Sequence, residues 1–183
     1  PDALDSSEEV ITETLRSAFA RSVRALKAVL LDQAVIAGIG NIYADEICHR
    51  AGIAPACPVD RLADDSAFIS QLALSIRSIL AEAVRAGGST LRDYVDGNGQ
   101  RGAAVSLHHV YGRGDQPCLT CGTPLVRASV AQRTTTWCPA CQSADRPKCR
   151  AIRPSVTFEV VHKPFPPGVE KTRTPVPVST GKC

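Results

Sequence analysis

What this sequence lacks narrows it first. It has no run of about 18 apolar residues, so no segment is expected to span a membrane. It opens without the basic, apolar and small-residue succession of a secretory leader. Both absences set a soluble intracellular chain as the expectation. Charge of one sign is missing as well. The net charge of +3 conceals 13 basic against 15 acidic residues in 1–142, and eight basic against three acidic in 143–183. Global charge therefore carries no argument for a nucleic-acid partner, and only local placement can.

What is there begins with helices. At 183 residues the chain holds one domain or two small ones. "SSEEVITETLRSAFARSVRALKAVLL" opens with a capping-box pattern, Ser6 followed by Glu9. Ile11, Leu15, Phe19, Val23, Leu26 and Leu30 then recur at helical spacing, predicting one continuous buried face. "NIYADEICHRAG" resumes the pattern, and "DDSAFISQLALSIRSILAEAVRAGG" predicts a third helix with an acidic start and a stop at Gly87. From Leu107 short strand-like pieces alternate with turns. The boundary is expected near 95–105, within or beside the glycine-rich "VDGNGQRGAA". Residues 143–183 carry seven of the 13 prolines and read as a flexible basic tail, with one short strand at 155–161.

The most specific motif is Cys118-Leu-Thr-Cys121, sixteen residues, then Cys138-Pro-Ala-Cys141. Two such knuckles can deliver four thiolates to one tetrahedral Zn²⁺, with a hairpin filling the interval. Gly122 sits where a knuckle favours positive φ. Two disulfides or a redox dithiol are the competing readings, and neither suits an intracellular chain. Four protein ligands make a closed, structural site. The other cysteines (Cys48, Cys57, Cys149 and Cys183) follow no such spacing, and Cys48 reads as a small core residue. His108 and His109 read as exposed strand residues without a metal role.

"GIGNIYADEI", residues 38–47, places Gly38 and Gly40 in a tight turn before a helix expected to be capped by Asn41. Unpaired N–H groups at such a terminus suit a phosphate. A corner that merely needs glycine is the alternative. Arg133, on these grounds alone, is one exposed arginine on a turn.

"LKAVLLDQAVIAGIGNIYADEICHRAGIAP", "GGSTLRDYVDGNGQRG", "VYGRGDQPCLTCGTPL" and "AQRTTTWCPACQ" resemble, in order, the helix–two-turn–helix, lesion loop and C-terminal zinc finger of the formamidopyrimidine-DNA glycosylase and endonuclease VIII family. The resemblance covers about residues 1–142 and favours the formamidopyrimidine branch. It implies a mainly α fold: a helix–two-turn–helix bundle over 1–100, a lesion loop and four-cysteine zinc hairpin over 101–142, and the tail over 143–183. It implies DNA contacts at Lys27, Gly40, Asn41, Tyr43 and Arg133, with a part for Arg133 in strand elimination.

The partner so implied is double-stranded damaged DNA, bound by a monomer in the cytoplasm at the bacterial nucleoid. The family's chemistry uses an N-terminal proline followed by glutamate, plus a lysine, on a β-sandwich domain. Pro1-Asp2-Ala3-Leu4 matches instead the linker into the helical domain, expected to be a flexible lead-in. The chain is therefore expected to be the DNA-binding half of a glycosylase and abasic-site lyase for oxidised purines (8-oxoguanine and formamidopyrimidines). A free-standing, non-catalytic damaged-DNA-binding module is the alternative. Gly102-Ala103-Ala104 departs from the family, which has aromatic residues after the glycine, and weakens closure over an everted base.

Overall fold

A computed structural model describes residues 1–87 and 108–142. The expected boundary near 95–105, the loop bearing Gly102-Ala103-Ala104, and the tail with its strand at 155–161 lie outside the described residues. Within them, four α-helices and a short 3-10 turn precede one hairpin.

Helix α1 (Glu8–Phe19) starts one residue later than the capping box suggested, because Ser7 is its N-cap and its Oγ accepts from the Val10 N–H. Glu8 and Glu9 in the first turn complement the helix dipole. Ile11, Leu15 and Phe19 are buried, but the periodicity misleads beyond them. The helix ends, Val23 is 76% exposed, and a separate α2 (Leu26–Leu30) follows. Tertiary backbone bonds explain the break. The Leu26 N–H donates to the Cys57 carbonyl, Lys27 to Pro55 and Val59 to Arg24, pairing this stretch with 55–59 instead of with the next helical turn.

Two further helices complete the core, α3 (Asn41–Arg50) and α4 (Ser66–Arg85), the latter capped by Asp65. Among the described residues α4 is long and apolar enough to cross a membrane by length and composition, yet half of that window is buried inside the fold. Its buried face, with Phe68, Leu72, Ile76 and Ile79, packs against α1 and α3. The lead-in is held rather than loose. Asp2 pairs with Ala37, whose N–H donates to Pro1 O and whose carbonyl accepts from the Ala3 N–H.

Strands β1 (Val126–Val130) and β2 (Arg133–Trp137) are antiparallel, in register from Val126 opposite Trp137 to Val130 opposite Arg133. Ala131 and Gln132 close the hairpin with φ of 52° and 58°. A two-residue type I′ turn demands positive φ at both positions, and Asn-Gly supplies it with the least strain. Left-handed backbone costs an ordinary residue roughly 1–2 kcal/mol. Replacing Ala131-Gln132 by Asn-Gly is therefore expected to stabilise the metal-loaded chain by about 1 kcal/mol, read from its urea midpoint. An unchanged or lowered midpoint contradicts the strain.

Candidate metal centre and nucleic-acid interface

The four sulfurs of Cys118, Cys121, Cys138 and Cys141 lie within 4.8 Å of one another. Cys118 and Cys141 are 3.9 Å apart at sulfur, and Cys121 and Cys138 are 3.4 Å apart. Zn–S bonds of about 2.3 Å in a tetrahedron separate sulfurs by about 3.8 Å, so the set fits one Zn²⁺. Each knuckle is pre-shaped by backbone bonds. The Gly122 N–H donates to Cys118 O at 2.9 Å with φ of 75°, and the Cys141 N–H donates to Cys138 Sγ at 3.3 Å. Hydrogen bonding from Thr123 draws the Cys121 thiol down to about 6, while burial and the adjoining thiols push Cys141 up. Four neighbouring thiols resist ionising together, and a bound dication removes that conflict. The site is closed by protein ligands, so zinc here holds the hairpin together.

The finger is fastened to the helical domain by residues that sequence reasoning missed. Both carboxylate oxygens of Glu46 accept backbone N–H groups, from His109 at 2.9 Å, Val110 at 3.0 Å and Tyr111 at 2.8 Å. Gln142 accepts from the Cys138 N–H at 2.8 Å and donates to Ile53 O at 3.1 Å. His108 is buried and His109 half-buried, which corrects their expected exposure on a strand. The outward signal was present in Asp45-Glu46, two consecutive acids between the apolar Ala44 and Ile47, all four of them buried.

Lys27, expected to contact DNA, is enclosed by the protein. It is 0% exposed, and its ammonium donates to Asp45 Oδ1 at 2.7 Å, Thr135 Oγ1 at 2.7 Å and Thr134 O at 3.1 Å. All three protons are committed, so none remains for a phosphate. Asp45 also accepts from the Thr136 N–H at 3.1 Å. Burial pushes its carboxyl up to about 6, with Lys27 opposing that rise. Lys27 is a strut between α2, α3 and β2.

The turn before α3 has two glycines with different causes. Gly38 has φ of 96°, a conformation that disfavours other residues, and its N–H donates to Gln33 Oε1. Gln33 in turn donates to Leu31 O and Ile39 O, stapling the turn with one side chain. Gly40 has an ordinary φ of −98°, and a Cβ there would meet nothing within 4 Å. Nothing among the described residues requires glycine at 40, which leaves room for something approaching from outside. Gly40, not Asn41, is the N-cap, and Asn41 is the first helical residue. Its Nδ2 donates to Thr134 O at 3.2 Å, with one amide proton to spare, while its Oδ1 is buried without a partner. Arg133, the residue before Thr134, is exposed at the hairpin tip, and Tyr43 is partly buried against the helical core.

A helical domain joined to a small two-stranded antiparallel sheet with a four-cysteine metal site is thus the class of protein that fold and site define. Two family models match: the formamidopyrimidine-DNA glycosylase H2TH domain over residues 1–95, and the zinc finger found in FPG and IleRS over residues 115–144. The chain belongs to the formamidopyrimidine-DNA glycosylase family. It is 49% identical over 118 residues to the formamidopyrimidine-DNA glycosylase of Desulfitobacterium hafniense, covering 64% of this chain and 42% of that one. With the Bacillus subtilis glycosylase it shares 41% over 143 residues, covering 78% and 50%. The solved MutM (Fpg) of Thermus thermophilus aligns with a TM-score of 0.70 at 43% identity, covering 78% of this chain and 53% of that one. A Lactococcus lactis Fpg in complex with abasic-site DNA aligns at 0.67 and 35%, covering 78% and 51%. The chain spans about half the length of the curated relatives it matches.

Proposed function

We propose that this chain is the DNA-binding half of a base-excision repair enzyme that removes oxidised purines and cleaves the abasic strand, working as a monomer at the bacterial nucleoid. On this reading α2, the stapled turn and α3 are its helix–two-turn–helix, within a unit over 1–100, and 101–142 carries the lesion loop and finger. One observation supports it most. Thr134 O accepts the Asn41 amide, which sets the open N-terminus of α3 beside the hairpin tip bearing Arg133. The N-terminus of α3, the Asn41 amide and a guanidinium then line one phosphate-binding face. Gly40 lets the DNA backbone come close, and Tyr43 on the first turn of α3 adjoins it. Lys27 acts through Asp45 and the Thr134 carbonyl rather than by touching DNA.

Elimination needs an amine aimed at the sugar and a carboxylate aimed for proton transfer. Among the described residues, the Lys27 ammonium is enclosed and the Asp2 carboxylate accepts from the Leu4 and Asp5 N–H groups, so neither is aimed at a sugar. A polypeptide of these 183 residues is expected to bind duplex containing an abasic site without covalent trapping by borohydride. Joining it in frame to the N-terminal half of a relative is expected to bring trapping and purine release. Efficient trapping by the 183 residues alone contradicts this division of labour. Asn41→Ala removes a neutral contact, so it weakens duplex binding by roughly 5–10-fold with the salt slope unchanged. Parent-like affinity in that variant removes Asn41 from the face.

A further inference from the structure

The metal centre has a neighbour from outside its own hairpin. His49, in the last turn of α3, places Nε2 3.7 Å from the sulfur of Cys118. Cys118 is 3% exposed, so little water competes for that sulfur. The ring is held from two directions. It packs against His109 with centroids 5.6 Å apart, and it follows Asp45 by four residues and Glu46 by three, both already bonded to the finger's backbone. Those intervals put all three side chains on neighbouring positions of one helix surface.

We propose that His49 is a positioning residue of the zinc centre, donating its Nε2 proton to the Cys118 sulfur. The proposal rests on zinc occupying the four cysteines. A Zn²⁺ with four thiolates carries a net charge of roughly −2, and N–H donors that spread it strengthen the site. Within the finger, the Cys141 N–H already does this for Cys138. His49 does it from the helical domain. A metal-bound thiolate only accepts, so this role requires the imidazole proton on Nε2. One helix thereby serves both sites, Asn41 at its first residue and the zinc sulfur near its last turn. Zinc affinity becomes a property of the whole described fold, and the CxxC spacing alone does not reveal it.

The test is a chelator competition for zinc on the full chain, after metal analysis. His49→Phe keeps a ring and loses the donor, and it is expected to weaken zinc retention by about 10–100-fold. His49→Gln, whose amide nitrogen can take the place of Nε2, is expected to regain most of that loss. In cobalt-substituted protein the sulfur-to-metal charge-transfer band is expected to move to longer wavelength in His49→Phe and to return toward the parent in His49→Gln. Equal zinc retention and an unmoved band in His49→Phe overturn the role of His49. A parent chain without zinc overturns the centre itself and the role with it. Long-range ¹H–¹⁵N correlation on the zinc-loaded parent requires no substitution. It is expected to find the proton on Nε2, and an unprotonated Nε2 overturns the role even if the Phe variant fails to fold.

Discussion

Cys118→Ser is expected to abolish zinc binding and to dissolve the finger while leaving the helical domain folded. Structural zinc contributes on the order of 10 kcal/mol to small domains that fold around it, far more than a two-stranded sheet supplies for itself. Among the described residues the finger's own apolar cluster is Val110, Cys118, Leu125 and Cys138, with Cys141 at its edge. Two of those four buried members are ligands, so losing metal removes the bonds that hold the cluster together. The helical core, by contrast, holds Ile11, Leu15, Phe19, Leu30, Ile47, Ile69 and Leu72 in a separate cluster. Trp137, the one tryptophan, sits on β2 and reports the finger selectively. Its emission is expected to shift to the red on chelation or in Cys118→Ser, with helical circular dichroism largely kept. A zinc-free chain with unshifted Trp137 emission contradicts a metal-held hairpin.

Lys27→Met carries the second large effect, a loss of about 3–5 kcal/mol at neutral pH. The substitution keeps the volume of the stem but leaves the Asp45 carboxylate buried with one backbone donor, the Thr136 N–H. Its sign against pH follows from the direction of the shift. Burial already holds the Asp45 carboxyl above its ordinary value of 3.8, at about 6, and Lys27 is the chief influence opposing that rise. A raised folded-state value contributes stability below the unfolded value and loses it as pH rises through the folded one. Removing Lys27 raises the folded value further. The deficit of Lys27→Met is therefore largest above pH about 7 and shrinks on acidification toward pH about 5. Adding Asp45→Asn to Lys27→Met is expected to recover most of the loss, since replacing both members of a buried pair is often close to neutral. Urea denaturation of the two variants at several pH values reads all of this. A deficit under about 1 kcal/mol in Lys27→Met assigns the pair no structural weight.

Local chemistry was legible in the sequence, and long-range pairing was not. The four zinc ligands were readable because thiolate spacing and Gly122 are determined within each knuckle. The stretch Gly38 to Asn41 was readable as a turn into a helix, but the cap fell on Gly40 because backbone dihedrals, not side-chain type, decide it here. The pattern from Phe19 to Leu30 looked like one helix because Val23 keeps the period, and pairing with residues 55–59 overrode it. The enclosure of Lys27 was hidden for the same reason. Its partners stand 18, 107 and 108 positions away, beyond any local pattern. Glu46 and Gln142 reach across 63 and 89 positions. Of the residues that family resemblance pointed to, Lys27 is enclosed and Arg133 is exposed.

The most direct test of the proposed DNA-binding surface is a salt titration of binding to abasic-site duplex by the parent chain and by Arg133→Ala. Each neutralised phosphate contributes roughly −0.9 to the slope of log affinity against log salt. If Arg133 and the N-terminus of α3 form one phosphate-binding face, Arg133→Ala binds more weakly and its slope is shallower by about one unit. Equal affinity and an identical slope in the two proteins would place the DNA elsewhere on the molecule.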